Sequence, residues 1–243
     1  MRHVPILRAG RPYRSLDRVR LPDIRTGEIV AEVSQANAGL IARDLLQAGR
    51  LKSVLGQRRC ADLIAICRKA ASLFVEADLP LDEGDAQSPS DYLAMLSATT
   101  GMPLSLCRGN MEKIRFVLDS MDRVLAGWTR GIDPSILDEG WGREQERPVS
   151  YRAQTYTLGA VLPNNSPGVH SLWIPAFAMK IPLVLKPGRQ EPWTPLRIAR
   201  ALMQAGAPPE AFSFYPGDHA AGSQILLRCG RSMAFGDAST LRP

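Results

Sequence analysis

Apolar positions in this chain repeat with two different periods, and the change of period divides it. Residues 1–36 alternate short extended pieces with turn signals. Within them Thr26-Gly27 reads as a turn feeding a strand on which Ile29, Ala31 and Val33 share one side. This opening segment is expected to be an arm rather than part of a core. From about Ala38 to Gly127 a helical period takes over, with segments near 38–48, 58–77, 89–98 and 110–126. Leu63, Cys67, Ala70 and Phe74 form one apolar stripe. Ser88, Pro89 and Asp91 supply an N-cap, a first-turn proline and an acid at the positive helix end. Ile114, Val117, Met121, Val124 and Leu125 make the face of a further helix, closed by Gly127. Between Gly127 and Arg147 the chain turns polar and glycine-bearing, as a linker does, and Val149, Tyr151, Ala153 and Thr155 then alternate as on a half-exposed strand.

From Tyr156 onward strand and helix signals take turns. Strands are predicted over 157–162, 182–186, 212–216 and 231–235, with helices over about 169–180, 195–205 and 219–228 between them. The helix over 195–205 has the clearest punctuation: Thr194 as N-cap, Pro195 at the first position, Gly206 past the end and Pro208-Pro209 barring continuation. Such alternation builds a parallel sheet with right-handed crossovers. The expected fold class is therefore α/β: a helical amino-terminal layer with its arm (1–147), then a truncated Rossmann-like parallel sheet with helices on both faces (148–243). Ligands of these sheets lie beyond the carboxyl ends of the strands. Pro163, Asn164, Asn165, Lys186, Gly188, Arg189, Gly217 and Gly222 all fall there.

Composition narrows the partners. The chain has 243 residues, 45% hydrophobic and 22% charged, which is the profile of a globular domain. No run approaches the roughly 18 apolar residues of a membrane span, and no signal-peptide pattern opens the chain, so the cytoplasm is the expected location and no membrane partner is predicted. The net charge of +6 is spread along the sequence and aromatics are only 6%, which argues against nucleic acid. Cys60, Cys67, Cys107 and Cys229 make no C-x-x-C pair, and His3, His170 and His219 stand at no zinc spacing to them. A metal site and a disulfide framework are both disfavoured. There is no G-x-G-x-x-G, Walker loop, G-x-S-x-G elbow or H-E-x-x-H.

The segments at the strand ends resemble those of the aldehyde dehydrogenase superfamily, in the same order. Pro163-Asn164-Asn165-Ser166-Pro167 is similar to its Pro-Trp-Asn-Phe-Pro, Lys186-Pro187-Gly188-Arg189 to Lys-Pro-Ser-Glu, and Ala205 to Phe212 to Ala-Gly-Leu-Pro-Pro-Gly-Val-Phe. Phe235-Gly236-Asp237-Ala238-Ser239 stands where the family has Phe-Thr-Gly-Ser-Thr. The resemblance covers 148–236 and extends more weakly to Thr26-Gly27-Glu28 and Thr99 to Leu104. It implies that Asn165 donates its amide to the oxyanion of a tetrahedral intermediate, a contact commonly worth roughly 3 kcal/mol. Read alone, the same Asn is a turn residue between strand and helix. The resemblance also implies that Pro163, Asn164, Lys186, Gly188, Arg189, Gly217, Gly222, Phe235 and Gly236 contact NAD or NADP. Arg189 replaces a family glutamate, and a guanidinium suits a 2′-phosphate, which favours NADP.

By the same resemblance the family's cysteine nucleophile and glutamate base lie later than Pro243. The implied whole is an NAD(P)-dependent aldehyde dehydrogenase or a related acyl-CoA reductase, acting on an aldehyde or acyl thioester and assembling as a homo-oligomer. This chain by itself is expected to be inactive and poorly soluble. The rival expectation is a non-catalytic remnant or nucleotide-binding module.

Overall fold

A computed structural model describes residues 1–165 and 167–235. Ser166 and Gly236 therefore lie outside the described residues. The chain opens with strands β1 (Arg2–Val4), β2 (Ile6–Arg8), β3 (Arg11–Tyr13), β4 (Arg18–Pro22) and β5 (Ile29–Ser34). Helices α1 (Ala38–Leu45), α2 (Ala48–Gly56) and α3 (Cys60–Glu76) follow. A small hairpin of β6 (Leu79–Asp82) and β7 (Asp85–Gln87) leads to α4 (Pro89–Thr100), α5 (Leu104–Asp119), α6 (Met121–Trp128) and α7 (Ile136–Glu139). A second hairpin, β8 (Trp141–Glu144) with β9 (Arg147–Ser150), precedes the alternating part. That part runs β10 (Leu158–Val161), α8 (Ile174–Ala178), β11 (Leu183–Lys186), α9 (Trp193–Ala205), β12 (Phe212–Phe214), α10 (His219–Arg228) and β13 (Arg231–Ala234).

The main sheet has the order β13-β10-β11-β12-β2-β3. Its first four strands are parallel, with Leu158 opposite Leu183 and Arg231, and Leu183 opposite Phe212. The α/β expectation is met, and the four strands fall within two residues of their predicted ends. The chain runs outward from β10 through β11 to β12 and then returns to the other side of β10, which makes the β10–β13 boundary the point where strand order reverses.

Helices cover both faces. Helices α3, α4, α5, α8 and α9 share the larger core, in which Trp173, Phe177, Trp193, Phe212 and Phe214 are fully buried. Helices α1 and α10 close the other face over Ile6, Val184, Tyr215 and Ile225. The stripe Leu63, Cys67, Ala70 and Phe74 lies wholly in the first core. Arg197 of α9 is buried beside it and donates to the carbonyls of Phe74, Gln87 and Ala77 at 2.9, 2.7 and 2.8 Å. A cation at the carboxyl end of α3 meets the negative end of that helix.

Several expectations are corrected. The opening segment is no loose arm: β2 pairs antiparallel with β12, and Val4, Ile6, Leu7, Ala31 and Val33 are buried. Of the alternating trio only Ile29 faces solvent. The helix predicted over 110–126 starts earlier and breaks at Ser120, yet Ile114, Met121 and Leu125 keep their buried face. The segment read as a linker contains α7, closed by left-handed Gly140, and β8. The strand predicted through Thr155 ends at Ser150, because it pairs back on β8 through a turn at Gln145-Glu146 whose φ angles, 47° and 66°, are the tight-hairpin kind. The helix expected over 169–180 is a 3-10 segment, Pro167–Leu172, followed by the short α8. Ser88 caps α4 as predicted, in a full capping box with Asp91.

Candidate cofactor-binding site

Four parallel strands end on one edge of the molecule, and the predicted site residues follow those ends. Leu162 donates its backbone N–H to the carbonyl of Lys186 at 2.9 Å, so the turn carrying Pro163, Asn164 and Asn165 starts beside the last residue of β11. Asn164 and Asn165 are exposed and Pro163 is half-buried. The Asn164 side-chain oxygen accepts from the backbone of Gln190 at 2.9 Å, which ties this turn to the loop after β11.

Gly188 explains why the two loops can close. A Cβ there would lie 2.5 Å from the Pro163 carbonyl oxygen and 2.7 Å from Asn164 Oδ1, so only glycine permits the approach. Gly217 serves the same purpose on the next loop, where a Cβ would meet the Ala36 carbonyl oxygen at 2.7 Å. The Ala36 N–H donates to the Pro216 carbonyl at 2.7 Å, which fixes the segment after β5 to the segment after β12.

Lys186 lies against α10. A Cβ on Gly222 would stand 3.2 Å from the Lys186 Cδ, so this glycine leaves room for the lysine stem. The ammonium donates to the Pro187 carbonyl at 3.4 Å. Burial lowers its pKa, opposed by the nearby Asp218 carboxylate. Asp218 itself caps α10, accepting from Ala221 N–H at 2.9 Å. His219 is exposed at the first turn. Arg189 is exposed and makes no ion pair among the described residues. Phe235 is half-buried, and its backbone N–H donates to the Val161 carbonyl at 3.2 Å.

A cleft of about 220 Å³ opens here between the β4–β5 ribbon and the loops after β11 and β12. Gly188, Arg189 and Gly217 line it; Asn164, Asn165, Lys186, Gly222 and Phe235 stand outside it. That volume is below the usual range of a small-molecule pocket, and the exposed strand ends continue beside it. A half-partnered ammonium and an unpaired guanidinium on one loop fit a polyanionic ligand.

Sequence reasoning missed the support under this loop. Trp173 donates to His170 Nδ1 at 3.1 Å, so the proton of His170 is on Nε2, which donates to Glu191 at 2.9 Å. The other Glu191 oxygen accepts from Thr194 N–H at 2.8 Å. Thr194 is therefore not the cap of α9; the Glu191 carboxylate takes that role. The Thr194 hydroxyl instead meets the Tyr92 hydroxyl at 2.9 Å. The walls given by Val19, Leu21 and Val33 were missed as well, although the alternation in β5 carried a signal.

None of the four cysteines is a thiolate candidate. All are buried and free. Burial pushes Cys60 up to about 11 and also raises Cys67, Cys107 and Cys229. Among the described residues no group of three His, Cys, Asp or Glu side chains is placed to hold a metal, and no helix is long and apolar enough to cross a membrane.

A parallel sheet of this order, with its cleft at the strand ends, defines an α/β protein of the doubly wound kind, whose ligands lie beyond those ends. The model of the aldehyde dehydrogenase family matches residues 18–232, and the chain belongs to that family. It is 31% identical over 111 residues to the phenylacetaldehyde dehydrogenase of Pseudomonas fluorescens, a match covering 44% of this chain and 22% of that protein. It is 23% identical over 231 residues to a betaine aldehyde dehydrogenase of Cereibacter sphaeroides, covering 89% of this chain and 42% of that one. The solved structure of PnpE in complex with nicotinamide adenine dinucleotide shares the fold, with a TM-score of 0.74 at 17% identity, over 98% of this chain and 47% of that one. The chain thus spans less than half the length of these relatives.

Proposed function

We propose that this chain is the cofactor-binding part of an NAD(P)-dependent enzyme that oxidises an aldehyde. The observation that carries the proposal is the convergence of Lys186, Gly188, Arg189 and Gly217 at the ends of adjacent parallel strands beside one cleft. In this reading Lys186 and Arg189 hold the adenosine ribose and its phosphates, and the turn 163–165 lies along the remainder of the dinucleotide. Phe235 closes the same edge. The pyridine ring of the bound nucleotide supplies the hydride acceptor. Asn165, exposed on the turn after β10, donates its amide to the oxygen of the reacting carbonyl. Arg189 favours the 2′-phosphate of NADP.

One observation supports the second reading, a nucleotide-binding module without turnover of its own. The four cysteines are protonated and inaccessible, so none can attack a carbonyl. Thiolate chemistry on an aldehyde or acyl thioester would use a group other than these four. The homo-oligomer and the cytoplasmic location remain part of the proposal.

Titrating the chain with NADPH and NADH, followed by cofactor fluorescence, tests both parts. The expected result is tighter binding of NADPH by at least tenfold, reversed by Arg189→Glu. Equal affinities in both proteins would reject the NADP assignment. No binding of either nucleotide would reject the site.

A further inference from the structure

A second cavity, of about 500 Å³, shares no lining residue with the cleft at the strand ends. It lies between the β2–β3 hairpin, α1 and α2, and its floor is Leu45, Leu51 and Tyr215. Its size is that of a small-molecule site.

The charges around it are unusual. Arg8 and Arg11 stand directly opposite each other in the hairpin register, and opposite residues of an antiparallel pair share a face. Two like charges there repel. Asp44 takes up one of them: it accepts from Arg8 Nε and Nη2 at 2.7 and 2.6 Å, and from the Tyr215 hydroxyl at 3.1 Å. The hydrogen bond to Asp44 raises the Arg8 pKa. The Arg8 guanidinium also lies over the Tyr13 ring, 5.3 Å from its centre. Arg11 has no such partner among the described residues.

Arg50, on the first turn of α2, lines the same cavity, and neither it nor Arg11 makes an ion pair among the described residues. Glu210 is the remaining charge on the wall. Arg8, Arg11 and Arg50 against Asp44 and Glu210 leave one positive charge in excess. The hairpin cannot swing to relieve the repulsion. Gly10 at its tip donates to the Phe212 carbonyl at 2.6 Å, and a Cβ there would lie 2.4 Å from Pro209 Cβ. The hairpin backbone therefore keeps Arg8 and Arg11 at a cavity with an aromatic wall, which Arg50 also lines from α2.

We propose that this cavity is a second binding site, for a small organic anion with a flat apolar body. Its phosphate or carboxylate head lies between Arg11 and Arg50, where guanidinium forks match either group. Its body stacks along the wall made by Tyr13 and Arg8. The site is independent of the cofactor reading.

Calorimetric titration of the full chain with phenyl phosphate, benzoate and inorganic phosphate at low salt tests the proposal and identifies the head. The expected result is 1:1 binding of phenyl phosphate or benzoate, at least tenfold tighter than inorganic phosphate. Arg11→Glu combined with Arg50→Glu, both on exposed side chains, is expected to weaken it at least tenfold; Arg50→Gln alone gives a smaller loss. Arg189→Glu, in the other cleft, leaves it unchanged. Absence of binding by both aromatic anions, equal binding of inorganic phosphate, or indifference to the double variant would overturn the proposal.

Discussion

The imidazole of His170 and the carboxylate of Glu191 meet at 2.9 Å with each side chain only 1% exposed, on the segments that follow β10 and β11. Trp173 on one side and the Thr194 N–H on the other complete the array, so the carboxylate is used twice. Removing one partner of a buried, hydrogen-bonded pair strands the other. Glu191→Ala is expected to destabilise the chain by about 3 kcal/mol, since it uncaps α9 and orphans the imidazole. Urea unfolding reads this directly, and an unchanged midpoint would mean that water replaces the carboxylate without loss.

Gly188→Ala tests the closure of the two loops. The added methyl meets the Pro163 carbonyl oxygen at 2.5 Å, so one loop has to move. We expect a destabilisation of about 1–2 kcal/mol with at least a tenfold loss of nucleotide affinity. Affinity equal to that of the parent chain would detach this contact from binding.

Lys52 gives the chain a pH signature. Its ammonium donates to the Lys180 carbonyl at 2.6 Å, and burial, with the charge of Lys180, lowers its pKa from 10.5 to about 8. Between pH 8 and 10.5 the unfolded chain then binds more protons than the folded one, so this residue makes stability rise with pH across that window. Below pH 8 both states are protonated and the burial penalty is fully present. Thermal melts from pH 7 to 9.5 should show a rising contribution that Lys52→Met removes; parallel pH profiles for the two proteins would contradict it.

Thiol accessibility is equally direct. Because all four cysteines are buried and protonated, iodoacetamide at pH 7.5 should label none of them in the native chain and all of them in urea. Mass spectrometry counts the adducts. Rapid native labelling of any one would contradict its burial.

Much of this architecture is legible in the residues, and the failures have physical causes. Strands β10, β11 and β12 are short apolar runs, and burial on both faces leaves little ambiguity once helices stand between them; β13, Arg231–Ala234, is more polar and more exposed and is placed by the glycine before it. Gly206 was readable as a helix end because its φ of 115° admits little else. Thr194 was misread because its neighbour Glu191, three positions before, offers a stronger acceptor than its own hydroxyl. The predicted helix over 169–180 is broken because Pro175, in its middle, has no N–H to give the preceding turn, so a 3-10 segment precedes α8, a break that apolar spacing does not reveal. At the site, the positions of Lys186, Gly188 and Gly217 followed from motif order. The His170–Glu191 pair, 21 residues apart, and the wall contributed by β4 and β5 depend on tertiary proximity.

The pairing of β2 with β12 also sets an order of events during synthesis. Ala9 and Ser213, joined by a hydrogen bond at the tip of that pairing, are 204 residues apart. Strand β2 can find its place on β12 only after the chain has been made through Ser213. Such long-range closure slows folding and leaves an unsatisfied strand waiting in the nascent chain. The second cavity, lined from both of these distant segments, therefore exists only once they have met.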